Sequence, residues 1–205
     1  FLMTLFNVRL GWWFPNPHNP NIKKPSPESS LKYLAMELFG LANERSDFLS
    51  ISDGGHFENL AAYELVKRKC KLIIISDAEC DPEYKLEGLG ILIRMCEVDF
   101  GTTININVDQ IKPKDESNWS DKRFAIGTID YKDNEADGIL IYIKASMNSH
   151  EKNTAVMQYK WAHQNFPHET TADQFYREDQ FESYRSLGNE ITKEMFEKNK
   201  IQKLL

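Results

Sequence analysis

Residues 72–77 of the chain read LIIISD, and this stretch decides the fold class. Four consecutive apolar residues, three of them β-branched, are typical of a strand that is covered on both faces of a parallel sheet. Upstream of it, the pattern predicts a short apolar strand over 48–51 and a helix over 57–69. A strand, a helix and a strand in this order predict a βαβ unit, whose crossover is right-handed by default.

The rest of the chain predicts further strands and helices around that unit. Alternation of apolar and polar residues predicts strands over 102–108, 124–131 and 139–145, the last two forming a pair. Apolar residues that recur at three and four positions predict helices over 30–44, 84–96 and most of 153–205. The predicted fold is therefore α/β, with a mixed, partly parallel sheet, helices on both faces and a helical carboxyl-terminal tail.

Composition limits the classes of partner. The 205 residues include 25 lysines and arginines against 31 aspartates and glutamates, which gives a formal net charge of -6. The basic residues are scattered, so they match neither nucleic acid nor an anionic membrane surface well. The spacing of Cys70, Cys80 and Cys96 fits neither CxxC pairs nor a disulfide framework. We expect these thiols to be buried and reduced, and the chain to be cytoplasmic.

The chain starts with an apolar segment, FLMTLFNVRLGWWF, over 1–14. Arg9 interrupts this segment, which is shorter than the roughly 20 residues that a membrane-spanning helix requires. It also lacks the marks of a secretory signal, so we expect it to be the interior of a longer chain. Five prolines then make 15–30 an exposed connector. We divide the chain into the apolar segment and connector, 1–30, and one domain, 31–205.

The turn after the first predicted strand is the main candidate for a functional site. Asp53, Gly54 and Gly55 lie where a strand stops and a helix starts, which is the edge of an α/β sheet where ligands bind. Two glycines allow a sharp turn, from which Asp53 would project into a crevice. His56 and Asn59 follow directly. An aspartate at a helix start is also a common cap, and this structural alternative stays open.

The sequence around this turn resembles the patatin-like and cytosolic phospholipase A2-like acyl hydrolases. The run DGGHFENL over 53–60, a helix, and Asp77 after an apolar strand resemble the second half of those enzymes. Three longer segments look like the carboxyl-terminal part of large bacterial patatin-related proteins: 6–13, 49–84 and 171–188. These enzymes pair a GxSxG serine with an aspartate from an Asp-Gly-Gly or Asp-Gly-Ala turn. The resemblance therefore implies hydrolysis of a lipid ester, and it makes Asp53 the dyad aspartate.

The chemistry of such a dyad is proton transfer from serine to aspartate. A serine hydroxyl must lose its proton as it attacks an ester carbonyl, and a nearby carboxylate can accept that proton. Gly54 and Gly55 would shape the turn, Asn59 would fix the turn or the mouth of the site, and His56 would line the site or donate to a backbone carbonyl. No serine in the sequence lies in a GxSxG motif. We therefore expect a nucleophile upstream of residue 1, no esterase activity in this chain alone, and no cofactor or metal.

Metal sites are the first alternative. Acidic residues follow the decisive strand at Asp77, Glu79, Asp81, Glu83 and Glu87. Proline at the sixth position and glycine at the twelfth exclude an EF-hand loop. A magnesium-dependent phosphohydrolase stays open, because such enzymes also place aspartates after a parallel strand, although no phosphate-binding glycine loop or basic clamp accompanies them. The histidines do not form a zinc-binding HExxH helix.

A non-catalytic interaction module is the other alternative. The segment over 171–188 is rich in charges and in apolar residues that do not form one stripe: Phe175, Tyr176, Phe181, Tyr184 and Leu187. A helical lid on the sheet and a docking surface both fit this pattern. As partners we expect a lipid or other ester substrate and no nucleic acid. Peripheral membrane contact and self-association stay open; Phe181→Asp would abolish self-association through this segment.

Overall fold

The computed structural model describes residues 11–114, 119–132 and 136–197 of the chain. Contacts divide the chain into two compact units, Phe1–Asn59 and Leu60–Leu205. This division falls at a different place from the boundary predicted at residue 30. That boundary was based on composition and on the family resemblance, and it stays a prediction. The parts of the predictions that concern 1–10, 133–135 and 198–205 lie outside the described residues.

From residue 11 onward, where the structure describes it, the first unit has two strands and one α-helix: β1 (Gly11–Pro15), β2 (Phe48–Ser52) and α1 (Ser30–Leu38). β1 and β2 pair antiparallel. The ring of Tyr33 in α1 lies 5.0 Å from that of Trp13 and 5.4 Å from that of Phe48, measured between centroids. Aromatic rings at this spacing attract each other beyond their apolar burial. These three rings therefore hold the helix against the two strands.

β2 does not belong to the sheet that contains residues 72–77, so the predicted βαβ unit is wrong. The sequence predicts a buried strand here, but only Phe48 of β2 is buried, and Ile51 is 52% exposed. A short strand can meet its hydrogen-bonding needs with one antiparallel neighbour, and in this chain β1 is that neighbour. A run of four residues with three apolar side chains does not distinguish these two pairings.

The second unit is built on a four-stranded sheet: β3 (Leu72–Asp77), β4 (Thr103–Ile106), β5 (Phe124–Asp130) and β6 (Gly138–Lys144). The strand order is β3-β6-β5-β4. β3 runs parallel to β6, while β5 is antiparallel to both β6 and β4. The mixed, partly parallel sheet and the pairing of 124–131 with 139–145 are therefore confirmed.

Helices cover both faces of this sheet, as predicted: α2 (Tyr63–Lys67), α3 (Glu87–Phe100), α4 (Thr154–Ala162) and α5 (Glu178–Glu197). On one face, Leu140 packs in a core with Val66 of α2 and Leu92 of α3. On the other face, Ile141 packs with Met195 of α5. Side chains alternate between the two faces of a strand, so a strand covered on both faces is expected to be largely apolar, as β6 is up to Lys144 at its end.

Several helix ends differ from the predictions because single residues adopt left-handed backbone angles. Gly40 has φ 66° and terminates α1 at Leu38 instead of 44. Ala61, with φ 54°, interrupts the helix predicted over 57–69, and Leu86, with φ 55°, delays the helix predicted from 84 until Glu87. A residue with left-handed backbone angles cannot continue a right-handed helix. Alanine and leucine rarely adopt such angles, so the sequence does not predict them at Ala61 and Leu86.

The tail is helical in two parts rather than throughout. Residues 163–177 are not helical, so the segment over 171–188 is helical only from Glu178 onward. The side chain of Asn153 begins α4 by accepting the N–H groups of Ala155 at 3.0 Å and Val156 at 3.3 Å. Across the three described ranges, no helix combines the length and the apolar character that crossing a membrane would require.

Candidate functional site

Asp53 is the first residue after β2 and caps a short turn. Its Oδ1 accepts the N–H of Gly55 at 2.8 Å, at the start of the 3₁₀ turn Gly54–His56. The residue is exposed, and this hydrogen bond engages one of the two carboxylate oxygens. Asp53 is therefore a cap, as the structural alternative holds, and at the same time an exposed carboxylate at the end of a strand. Its catalytic role stays a prediction.

Gly55 lies beside both the carboxylate of Asp53 and the side-chain amide of Asn59. A Cβ atom on Gly55 would come too close to Asn59 Oδ1 and would lie 3.2 Å from Asp53 Oδ1, but a Cβ on Gly54 would meet open space. His56 is exposed, and its backbone N–H, not its imidazole, donates to the carbonyl of Asp53 at 3.2 Å. The turn thus brings Asp53, Gly55 and Asn59 together, which is the arrangement expected if Asn59 fixes the turn.

Gly55→Ala is expected to loosen this turn, because the new methyl group displaces the Asn59 amide and presses on the carboxylate of Asp53. Weakening one hydrogen bond by about 1 kcal/mol should make the amide proton of residue 55 exchange about fivefold faster, as measured by NMR. Gly54→Ala is the matched control and should change exchange at residue 55 less than twofold. Equal exchange in the two variants would mean that the Gly55 contact does not shape the turn.

A second polar cluster lies at the carboxyl ends of β3 and β6. Asp77 and Lys144 end these parallel strands and stand opposite each other in the register. Lys144 Nζ lies 3.0 Å from Asp77 Oδ1, and the two side chains are 0% and 1% exposed. The hydroxyl of Tyr142 donates a short hydrogen bond to Asp77 Oδ2. Burial raises the pKa of Tyr142, and the hydrogen bond to Asp77 raises it further, so the phenol stays protonated and remains the donor.

Sequence patterns indicated Asp77 as a candidate site residue, but neither Lys144 nor Tyr142. One signal was present: a lysine ends the otherwise apolar run of β6. A buried lysine almost always has a charged or hydrogen-bonding partner, so Lys144 at the end of a buried strand indicates a carboxylate nearby. The identity of that carboxylate depends on the register between β3 and β6, which the sequence does not give.

His168 adjoins this cluster and is buried. Its Nδ1 accepts the N–H of Asp81 at 3.4 Å, and its ring packs edge-on against Tyr84 with centroids 4.7 Å apart. Burial, and then the positive charge of Lys144, lower the pKa of His168 to about 4. The imidazole is therefore neutral at pH 7, which agrees with Nδ1 acting as an acceptor.

Two of the acidic residues at and beyond the end of β3, Asp77 and Asp81, are engaged with other groups of the second unit. Asp77 is paired with Lys144, and the carboxylate of Asp81 accepts the N–H groups of Lys85 and Leu86, both at 2.8 Å. Among the residues that the structure describes, no three His, Cys, Asp or Glu side chains are placed to hold one metal ion. The geometry therefore gives the magnesium phosphohydrolase no support, since a lysine already neutralises the aspartate at the end of the strand.

The aromatic residues of 171–188 are largely exposed. Phe175 is 91%, Tyr176 55% and Phe181 58% exposed, while Leu187 is buried in the core. Some of them surround a cavity of about 290 Å³, which we call the aromatic cavity; its lining includes Glu169, Thr170, Tyr176, Gln180, Phe181 and Tyr184. The segment is therefore partly core and partly an open, aromatic surface.

All three cysteines are free thiols. Cys96 is buried and Cys70 is half-buried, but Cys80 is exposed, so the expectation of a buried thiol is wrong for Cys80. Cys80 is in a loop after β3, where its thiol donates to the carbonyl of His168 at 3.0 Å. The position of Cys80 outside the regular elements explains its exposure.

Comparison with known proteins gave no match. No protein-family model matches the chain, and no curated protein or solved structure does so. The resemblance to the patatin-like hydrolases therefore stays a prediction from the sequence, and a function has to be argued from the residues and their geometry.

Proposed function

We propose that Asp53 is the general base of a serine and aspartate dyad that hydrolyses a lipid ester or another carboxylic ester. The observation that carries this proposal is the state of its carboxylate, which is exposed while the N–H of Gly55 holds Oδ1 at 2.8 Å. In the described ranges the carboxylate has no ion-pair partner. It is therefore held in one orientation, and Oδ2 can accept a proton from a hydroxyl group.

The proposed reaction proceeds through an acyl-enzyme. A serine hydroxyl attacks the ester carbonyl while its proton passes to Asp53, and the departing alcohol then takes up that proton. Water next attacks the acyl-enzyme and loses a proton to Asp53; the carboxylic acid leaves, and the serine recovers its proton. The serine would be contributed by polypeptide outside these residues, because no serine here lies in a GxSxG motif. The reaction needs neither metal nor organic cofactor.

The decisive test compares two aspartates in the intact gene product that contains this chain. Asp53→Asn keeps an oxygen that can cap the turn but removes the base, so hydrolysis of a 4-nitrophenyl ester should fall by about 100-fold or more. Asp130→Asn is the matched control, because Asp130 Oδ1 also accepts the N–H two residues ahead, that of Lys132, at 2.9 Å. Activity should stay within about twofold in this control. Full activity in Asp53→Asn would leave Asp53 with its capping role only.

The same proposal predicts how the 205-residue chain behaves alone. Incubation with a serine-reactive fluorophosphonate should label no serine specifically, because no nucleophile elbow is present. The intact gene product should be labelled at one serine, and mass spectrometry locates it. Stoichiometric labelling of one serine within the 205 residues would contradict the assignment of the nucleophile to another part of the polypeptide.

A non-catalytic interaction module is the second candidate, and the exposure of Phe175 and Phe181 favours it. Large apolar side chains that are exposed within one segment are typical of interaction sites when they form a patch. For both candidates we propose a reducing compartment, in line with the three free cysteines, and for the hydrolase we add peripheral contact with a membrane that supplies the lipid.

A further inference from the structure

The aromatic cavity combines one carboxylate with three aromatic rings. Glu169 contributes the carboxylate, and Tyr176, Phe181 and Tyr184 contribute the rings. Its volume of about 290 Å³ is near the lower limit for small-molecule sites, so it suits a compact ligand. The cavity lies wholly within the second unit, and its residues take no part in the dyad proposed for Asp53.

The carboxylate of Glu169 is oriented by neutral donors. It accepts hydrogen bonds from the hydroxyl of Tyr159 and from Gln180 Nε2, both at 3.1 Å. Burial, and then the charge of Glu169, raise the pKa of Tyr159 to about 12, so this phenol stays a donor at neutral pH. In the part of the chain that the structure describes, Glu169 forms no ion pair with a lysine, arginine or histidine. Arg177 acts on the same Tyr159 hydroxyl, but its ion pair is with Asp179 at 3.2 Å. The negative charge of Glu169 is therefore fixed in place by neutral donors, with Arg177 as a neighbour and not as its ion-pair partner.

The aromatic rings add a second attraction for a positively charged ligand. Tyr176 and Phe181 are more than half exposed at the cavity, and Tyr184 is held by an edge-on contact with Phe166, with centroids 4.8 Å apart. The face of an aromatic ring carries partial negative charge and attracts cations. Rings and carboxylate thus favour a positively charged ligand, and they disfavour an anion.

The chemistry of the lining also separates organic cations from metal ions. Calcium and magnesium require several oxygen ligands at fixed distances, and this cavity offers one carboxylate among aromatic side chains. An alkylated ammonium group spreads its charge over an apolar surface, so its contact with rings costs little hydration. We propose that the aromatic cavity binds a small alkylated ammonium cation, with Glu169 as the counter-charge and Tyr176, Phe181 and Tyr184 as the ring contacts.

Isothermal titration of the chain with tetramethylammonium and with choline tests this proposal. A millimolar dissociation constant is expected for both, and 3,3-dimethylbutan-1-ol, which has the shape of choline without its charge, should bind at least tenfold more weakly. Equal affinity for choline and the neutral alcohol would overturn the proposal, because the charge would then play no part.

Two variants and a matched control locate the site. Glu169→Gln and Phe181→Leu should each weaken choline binding about fivefold or more, and the second variant keeps the test valid if Glu169 proves necessary for folding. Phe175→Leu is the control, because Phe175 is in the same segment, is 91% exposed and is not part of the cavity lining. An equal loss in Phe175→Leu, or no loss in the other two variants, would overturn the assignment.

The same cation can come from solution or from a lipid headgroup, and micelles distinguish the two sources. Binding of soluble choline supports a free metabolite, whereas binding only to dodecylphosphocholine micelles, and not to dodecyl maltoside micelles, supports a headgroup. No binding to any of these cations would overturn the proposal. Concentration-dependent self-association, lost in Phe181→Asp without cation binding in the parent chain, would also overturn it and would identify the surface as a protein interface.

Discussion

Lys144→Met is expected to lower the free energy of unfolding of the chain by about 3–5 kcal/mol, because it leaves the carboxylate of Asp77 buried without its counter-charge. The two side chains are 0% and 1% exposed, so bulk water does not screen the carboxylate of Asp77. After the substitution, Asp77 would keep only neutral donors, the hydroxyl of Tyr142 and the N–H of Glu79 at 2.8 Å. Methionine retains most of the apolar stem of lysine, so lost packing contributes little to this effect.

An exposed pair of the same two residue types provides the control. Lys114 and Asp121 also form an ion pair, but their side chains are 71% and 54% exposed. Lys114→Met should therefore change the free energy of unfolding by less than about 1 kcal/mol. Urea unfolding followed by circular dichroism measures both variants, and a loss below about 1 kcal/mol in Lys144→Met would show that the buried pair does not stabilise the fold.

The double variant Asp77→Asn with Lys144→Met separates the charge from the packing. Since it removes the buried carboxylate along with the lysine, it should be more stable than Lys144→Met alone. If the effects of the two single substitutions simply add, the two groups act independently, and the interpretation of Asp77 and Lys144 as one pair is wrong.

The positions of the strands in the second unit could be predicted because runs or alternations of apolar residues mark them in the sequence. The apolar run of β6 indicates two covered faces, which is confirmed, and the alternation in 124–131 indicated a strand that pairs with 139–145. The same prediction is wrong for β3, because it is an edge strand in which Ile74 is 47% exposed and Ser76 is exposed. The helix ends could not be predicted. Ala61 and Leu86 adopt left-handed angles although neither is a glycine, so tertiary contacts rather than local preference set these ends.

The candidate sites also differ in whether the sequence predicts them. The turn at Asp53 was visible because aspartate followed by two glycines is a local signal, and the cap lies where that signal placed it. The cluster of Asp77 and Lys144 was not visible, because it joins residues 67 positions apart through the register of two strands. The aromatic cavity depends on the placement of Glu169 beside the start of α5, which no spacing along the chain specifies.

The stability of the chain is expected to fall as the pH drops from about 6.5 to about 4, and His168 should account for about 3 kcal/mol of that loss. In the unfolded chain this histidine has the ordinary pKa of 6.5, whereas burial and then the charge of Lys144 lower it to about 4 in the folded chain. Between these two values the unfolded state binds a proton that the folded state does not. The contribution of His168 is thus fully present above pH 6.5 and is lost as the pH falls to about 4.

Urea unfolding at a series of pH values measures this contribution as a difference between variants. His168→Gln should remove about 3 kcal/mol of the pH dependence between 6.5 and 4, whereas His150→Gln, at an exposed position, should follow the parent chain. If the free energy of unfolding changes with pH in the same way in the parent chain and in His168→Gln, the pKa of His168 is not lowered.

The Lys144→Met variant adds an independent check. It removes a positive charge that opposes protonation of His168, while Asp81, which favours protonation, remains. The pKa of His168 should then rise, and the pH range over which this histidine destabilises the fold should become narrower.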